Sequence, residues 1–375
     1  MKSYLLVVAD FVKTGGMDRA NFALANYLAK QGEKVHLVGY RVADELLAYP
    51  HVQFHPVPKL ANSDLLSSPL LNWIGRLQAQ RLMRENARVI VNGGNCQWGD
   101  VNWVHYVHAA YESDSQVNLL RQLKGKISHR MFLDDEKKAL TSARVIIVNS
   151  NRTKRDLMEK LAIPERKLHV VYYGIDTQIF YPAIPTERAI LRQQLGWSPD
   201  KNIVVFIGAL GDRRKGFDTL FTAWQELCKS SNWDADLMVV GVGAELPLWK
   251  SRAADAGISN IHFLGFRHDV PNLLRAADCL VAPTRYEAYG LGVHEALCCG
   301  LPAIVSADAG VAERYSPQLQ DLLLPNPDHA NDLVIRLQKW QQDKQYYNKL
   351  VLSLSQELRN YTWDAMAKSI WQIIS

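Results

Sequence analysis

With 375 residues, 48% of them apolar, the chain has material for two hydrophobic cores, because single domains usually settle near ~100 to 200 residues. No apolar run approaches the ~18 residues needed to span a bilayer, and Leu5–Ala9 stops at Asp10, so neither a membrane span nor a signal peptide is expected and the cytoplasm is the expected compartment. The five cysteines (Cys96, Cys228, Cys279, Cys298, Cys299) are odd in number and lack a C-x-x-C pair, which argues against a disulfide framework or structural zinc.

Residues 3–10 form a short β-forming run, Gly15-Gly16 follows, and Ala20–Leu28 is apolar at helical spacing. With the strand Lys34–Tyr40 the pattern opens as βαβ, the unit of a doubly wound parallel sheet, and the Gly-Gly loop falls at the sheet's carboxyl edge. Arg88–Asn92 and Val101–Val107 read as further strands with polar tips. His108 stands past the second, and His105 is expected to belong to the strand. Ala143–Ser150 is a strand, Lys154–Ala162 a helix and His169–Tyr173 a short strand. Residues 181–200 hold Pro182, Pro185 and Pro199 without a clean period and read as a linker.

Asn202–Ile207 opens a second sheet. Its first loop, Gly208 to Gly216, carries Arg213-Arg214-Lys215 among glycines, an anion site by composition, and Phe217–Leu227 is the helix after it. Leu237–Gly243 and Ile261–Gly265 are strands. Asp234-Ala-Asp236 sits at the start of the first of these, the wrong edge of a parallel sheet for a ligand, so it is not read as a metal site. Residues 269–277 form a short helix and Asp278–Pro283 a strand. From Pro283 to Pro302 the chain then reads PTRYEAYGLGVHEALCCGLP, that is strand end, loop and a helix closed by Gly300 and Pro302. Its first turn, at Gly290-Leu291, offers unpaired N–H groups and a partial positive charge to an anion.

Glu287 and Glu295 with seven residues between them, followed by Ala296-Leu297-x-x-Gly300-Leu301-Pro302, together with Arg214-Lys215-Gly216 and Gly15-Gly16, resemble the retaining glycosyltransferase family 4. The resemblance covers essentially the whole chain. It implies an α/β protein of the GT-B fold, two Rossmann-like parallel-sheet domains facing across a cleft: residues 1–180, a linker at 181–200, residues 201–362, and a C-terminal helix at 363–375 returning to the first domain. Carried over residue by residue, Glu295 binds the donor ribose and Glu287 lies against the donor sugar. Lys215 with Arg214 and the amides near Tyr289, Gly290 and Leu291 take the diphosphate, and the segment of Phe266 and Arg267 holds the base. His108 lies near the sugar and its diphosphate, and Gly15 and Gly16 face the phosphates and the acceptor. Lys215, Glu287 and His108 are the expected catalytic residues. Three positions depart from the family: Asp18 replaces a glutamate, Tyr173 an asparagine, and Ala209 a phosphate-binding arginine whose work falls to Arg213 or Arg214.

The activity so implied is transfer of a hexose from a nucleotide-diphosphate sugar, with retention, to a saccharide or lipid-linked saccharide acceptor in polysaccharide synthesis. UDP-glucose is expected because that donor is common among relatives. No metal, cofactor or nucleic-acid partner is expected. A catalytically silent nucleotide-sugar binder, suggested by Ala209, and a nucleotide-sugar epimerase of the same fold are the alternatives. Residues 1–180 carry 24 Lys and Arg against 17 Asp and Glu, hence +7 within a whole-chain charge of +5. Their clusters at Arg76, Arg81, Arg84 and Arg88, and at Arg121, Lys124, Lys126 and Arg130 among apolar residues, suit either a solvated face or weak peripheral contact with the inner face of the plasma membrane.

Overall fold

The computed structural model describes residues 2–111 and 119–375, with the side chains of 62, 64 and 119–128 left aside, and the chain divides into two units. The Arg121, Lys124 and Lys126 cluster therefore lies outside the described side chains. One unit runs to Gly174 and takes in Thr362–Ser375, and the other holds Ile175–Tyr361.

The first unit comprises β1 (Ser3–Val7), β2 (Asp10–Phe11), α1 (Gly16–Lys30), β3 (Lys34–Gly39), β4 (Arg41–Val42), α2 (Asp44–Leu47), β5 (Val52–Pro56), α3 (Asp64–Leu82), β6 (Arg88–Asn92), β7 (Val101–Val104), α4 (Leu119–Ser142), β8 (Val145–Val148), α5 (Asn151–Leu161) and β9 (Leu168–Val170). Seven of the strands form one sheet in the order β5-β3-β1-β6-β7-β8-β9, every pair parallel. The residues of β1, β7 and β8 are all buried, as strands covered by helices on both faces must be. The strand order reverses between β1 and β6, so a switch-point crevice opens beside the loop that carries Gly15 and Gly16.

The second unit comprises α6 (Pro185–Leu195), β10 (Asn202–Ile207), α7 (Phe217–Leu227), β11 (Ala235–Val240), α8 (Leu246–Asp255), β12 (Ile261–Gly265), α9 (Val270–Ala276), β13 (Cys279–Ala282), α10 (Leu291–Cys298), β14 (Ala303–Ser306), β15 (Leu323–Leu324), α11 (Ala330–Gln342) and α12 (Lys344–Arg359). Its parallel sheet runs β12-β11-β10-β13-β14-β15, and here the order reverses between β10 and β13. The loops leaving those two strands are the Arg213–Lys215 loop and the Glu287 loop.

Two segments differ from expectation for identifiable reasons. Residues 181–200, read as a linker, contain α6, which docks through Leu191, Leu195 and two guanidinium groups and so shows little apolar period. Arg192, buried, donates to the carbonyls of Ala276 (2.9 Å) and Pro199 (2.9 Å) and to the Asp278 carboxylate, which Arg188 also grips at 2.5 Å. The strand expected to reach Val107 ends at Val104, because the chain turns into a 3-10 helix at His108–Ala110. The last helix, α13 (Trp363–Ile374), packs against α1. Trp371 donates its indole N–H to the Tyr4 hydroxyl (2.8 Å) and sets its ring edge-on to Tyr27. Gly174 makes this return possible, since a Cβ there would lie 2.3 Å from the Thr362 carbonyl oxygen.

Asp278 binds both α6 arginines and also accepts the Ile203 N–H at 2.7 Å. Asp278→Asn is expected to destabilise the second unit by about 3 kcal/mol, the low end for stranding a buried cation. Denaturant unfolding followed by tryptophan fluorescence checks this, and Arg188→Gln, at a more exposed guanidinium, should cost clearly less.

Candidate active site

In the second unit the loop after β10 is built to present cations. The Asp212 side chain accepts the Arg214 N–H (3.0 Å) and tightens Arg213–Lys215 into a 3-10 turn. Gly216 then turns left-handed (φ +70°) where a Cβ would stand 1.8 Å from the Pro283 carbonyl oxygen, so this loop presses directly on the end of β13. Across that contact Lys215 Nζ meets Glu287 Oε2 at 2.7 Å, and Arg214 Nη1 stands 3.6 Å from the same oxygen. Arg214 is further aimed by Asp212 (3.1 Å) and by the Tyr286 carbonyl (3.3 Å). Arg213 turns the other way, to Asp218 at 3.2 Å.

Arg285, not singled out from the sequence, ties the two loops together. Its guanidinium makes 2.8 Å bonds to both oxygens of Asp218, a 2.7 Å bond to Asp328 and a bond to the Arg213 carbonyl, while its backbone N–H donates to the Arg214 carbonyl at 2.8 Å. Burial alone would raise the Asp218 pKa, but Arg285 and then Arg213 outweigh it and hold the carboxyl below its usual range. A signal was present in the sequence, a cation two residues before Glu287, but spacing gave no partner for it.

Helix α10 begins at Gly290 (φ +104°), where a Cβ would crowd Val311 at 2.9 Å and Glu287 Cγ at 3.3 Å, so its first turn starts beside the carboxylate. Leu291 opens that turn. Tyr289 is buried with its hydroxyl 2.8 Å from His294 Nδ1, and burial pushes the His294 pKa down to about 3, leaving a neutral ring that fixes the tyrosine. Glu295 is buried on the same helix. At the end of β12, Phe266 is 65% exposed with its ring edge-on to His268, a free aromatic face, and Arg267 is held by Asp269 at 2.5 and 2.7 Å.

In the first unit Gly15 (φ +79°) and Gly16 lead into α1 after β1, and His108 follows β7, both at the sheet's carboxyl edge. His108 is oriented by Glu136 of α4, a fully buried carboxylate. It accepts the His108 N–H (3.0 Å), sits 3.1 Å from Nδ1 and accepts the Ala109 N–H (3.3 Å), while Phe132 stacks on the ring. The run Asp134-Asp135-Glu136 gave no sequence reason to prefer its third member. His105 is buried, its pKa lowered to about 3 by burial, and bonded to the Tyr173 hydroxyl, which also accepts from Asn149 (3.2 Å). Tyr173, at the family's asparagine position, is thus an internal prop of this unit. Among the described residues no group of three His, Cys, Asp or Glu side chains could hold a metal. Asp234 and Asp236 are occupied by Lys201 at 3.1 and 3.7 Å.

Residues 14–179 match the family model described as Glycosyltransferase Family 4, and residues 187–353 match the one described as Glycosyl transferases group 1. A D-inositol 3-phosphate glycosyltransferase of Jonesia denitrificans is 24% identical over 385 residues, covering 94% of this chain and 89% of the relative. Among solved structures, sucrose-phosphate synthase from Thermosynechococcus elongatus superposes with a TM-score of 0.77 at 21% identity, over 100% of this chain and 98% of that one. Anabaena Alr3699/HepE in complex with UDP-glucose gives 0.72 at 16% identity, over 100% and 99%. At such identities the two structures carry the fold alone, the GT-B arrangement of two Rossmann-like domains, and do not assign the chain to a particular polysaccharide pathway.

The folded-state pKa of Asp218 is depressed, so its contribution to stability is present above the unfolded aspartate value of ~3.9 and is lost as pH falls through the lower folded value. Asp218→Asn is expected to cost about 1.5 to 3 kcal/mol near pH 7 and to flatten the acid decline that the wild type shows below about pH 4. Thermal midpoints of both proteins from pH 3 to 7 check this, and parallel curves would contradict it.

Proposed function

Because this chain is a glycosyltransferase, a family 4 domain followed by a group 1 domain, we propose that it transfers glucose from UDP-glucose, with retention at the anomeric carbon, to a saccharide or lipid-linked saccharide acceptor in polysaccharide synthesis. The observation that carries the reading is the convergence of Lys215, Arg214 and Glu287 beside the first turn of α10. Two cations and a helix N-terminus face the same point, which suits a diphosphate leaving group. The bound donor named for the Anabaena structure supports UDP-glucose as the first donor to try.

In this reading Lys215, Arg214 and the amides at Gly290 and Leu291 take up charge as the carbon–oxygen bond to the diphosphate breaks. Glu287 holds the two cations in place before the donor arrives and then lies along the sugar. Glu295 receives the ribose, the exposed face of Phe266 and the Arg267 backbone meet the base, and His108, fixed by Glu136, stands at the sugar. Gly15 and Gly16 leave room for phosphates and acceptor. The acceptor hydroxyl attacks from the face the diphosphate leaves, so no covalent protein intermediate forms. Preorganised donors of this kind are typically worth ~2.7 to 4 kcal/mol each. The cations supply the electrostatic work without a divalent metal, and the reaction is assigned to the cytoplasm, at the inner face of the membrane where the acceptor is lipid-linked. Among the described residues no helix is long and apolar enough to cross a membrane.

The test is product analysis with UDP-glucose and other nucleotide sugars, with and without a saccharide acceptor, reading the new anomeric configuration by NMR. An α-linked product from an α-linked donor, formed equally with chelator present, is expected. An inverted product, an epimerised donor or nucleotide binding without turnover would overturn the reading. Arg214→Lys is expected to lower kcat/KM by roughly ten- to a hundredfold, because an ammonium cannot reproduce a bidentate grip, whereas Arg213→Lys, whose charge is engaged by Asp218, should change it less than about threefold. Glu295→Ala should raise the donor KM more than it lowers kcat.

A further inference from the structure

The first unit has a second cavity, at the end of its sheet opposite the candidate site residues. Arg76 of α3, Gln97, Trp98 and Asp100 of the loop before β7, and Lys138 and Ser142 of α4 line a space of about 490 Å³. Asp100 immediately precedes β7 and Ser142 comes shortly before β8, so the cavity lies at the amino edge, whereas Gly15 and His108 stand at the carboxyl edge. The four residues of β7 lie between, a span of roughly 13 Å at ~3.3 Å per residue. A ligand bound here is held apart from the reacting groups.

The lining has far more hydrogen-bond donors than acceptors left to use. The guanidinium of Arg76 and the ammonium of Lys138 are exposed and donate to no group among the described residues, and the indole of Trp98, half-buried against the core of the unit, has its N–H neither enclosed nor bonded. The carboxylates are already taken. Asp100 accepts the Val89 N–H (3.0 Å) with one oxygen and two N–H groups of Arg144 (2.8 and 3.2 Å) with the other, and Asp135 accepts the side-chain amide of Gln97 at 3.2 Å. Arg76, Lys138 and Arg144 outnumber Asp100 and Asp135, while the exposed Asp134 and Lys137 balance each other. For a neutral group there remain Gln97 Oε1 and the Ser142 hydroxyl, which donates to the Ala139 carbonyl (2.9 Å) and keeps its lone pairs. A fitting ligand brings an oxyanion to the two cations, hydroxyl groups to Gln97 and Ser142, and a compact ring against the indole. An acidic sugar brings all three.

We infer that the cavity between α3 and α4 binds a saccharide unit bearing an oxyanion, a carboxylate or a phosphate ester, through Arg76, Lys138 and Trp98. The functional reading above enters in one respect, the choice of a saccharide as the carrier of the oxyanion, and to that reading the cavity adds a hold on acidic sugar units away from the reaction edge. Both cations stand in solvent, so the hold weakens as salt rises.

The test is titration calorimetry of the full chain with oligogalacturonate, glucose 6-phosphate, a neutral malto-oligosaccharide and inorganic phosphate. At least one of the two acidic sugars is expected to bind, which of them telling carboxylate from phosphate ester, while the neutral oligomer stays without measurable binding and inorganic phosphate binds more weakly. The double change Arg76→Gln, Lys138→Gln should lower that affinity by at least about tenfold, and Trp98→Phe, which keeps a ring but loses the N–H, by several-fold. Arg76 and Lys138 are exposed, so the thermal midpoint of the double variant and its turnover of a short neutral acceptor should stay at wild-type values. Equal affinity for the neutral oligomer, an affinity for the acidic sugar that the double variant retains, or inorganic phosphate bound as tightly as the sugars overturns the inference. Absence of sugar transfer with acidic-sugar binding intact would count against the functional reading and leave the binding site standing.

Discussion

The second unit depends on one contact, the pressing of the Gly208–Gly216 loop onto the end of β13. The strand order places β10 and β13 side by side, and Gly216, with no side chain to keep the Pro283 carbonyl away, lets the two loops touch. Everything charged in the candidate site follows from that approach. Lys215 reaches Glu287 because the turn carrying it cannot move outward, and the turn is fixed by Asp212 from inside and by Arg285 from the neighbouring loop. A cation pair at a switch point would repel and drift if left to solvent. Here a half-buried carboxylate, Glu287, neutralises it and keeps both cations in position.

The division of the three consecutive cations is itself a consequence of packing. In sequence Arg213, Arg214 and Lys215 are equivalent charges on one loop. In the fold the 3-10 turn points successive side chains about a third of a turn apart, so Arg213 falls toward Asp218 and α7 while Arg214 and Lys215 face Glu287. In the proposed reading Arg214 takes the place of the arginine absent at Ala209, from the other end of the same loop. The first unit uses a comparable device with different chemistry, a buried carboxylate, Glu136, that accepts two backbone N–H groups and reaches the imidazole of His108.

Much of this was legible in the chain. Alternating apolar runs and helical periods gave both parallel sheets, because strands buried on both faces leave long apolar signatures, and Gly290 with Gly300 and Pro302 marked the limits of α10. What the sequence hid were contacts made by polar side chains over long separations. Arg285 finds Asp218 across 67 residues and Arg192 finds Asp278 across 86, and neither pairing leaves a local pattern. The same blindness turned α6 into a linker, since only Leu191 and Leu195 carry its apolar docking and the rest is guanidinium. The resemblance-based residue set fares differently. Lys215, Arg214, Glu287 and Gly290 come together, Phe266 and Arg267 stand at the end of β12, two strands from β10 in the same sheet, and Gly15, Gly16 and His108 lie at the carboxyl edge of the other unit's sheet.

The central claim is that Lys215 and Arg214 form a diphosphate receptor held ready by Glu287. Its most direct test is calorimetric comparison of UDP with uridine binding to the wild type and to Lys215→Ala. If the claim holds, the wild type binds UDP far more tightly than uridine, the substitution removes at least about tenfold of that advantage, and uridine affinity stays nearly unchanged. An advantage of UDP over uridine that survives Lys215→Ala undiminished would contradict it.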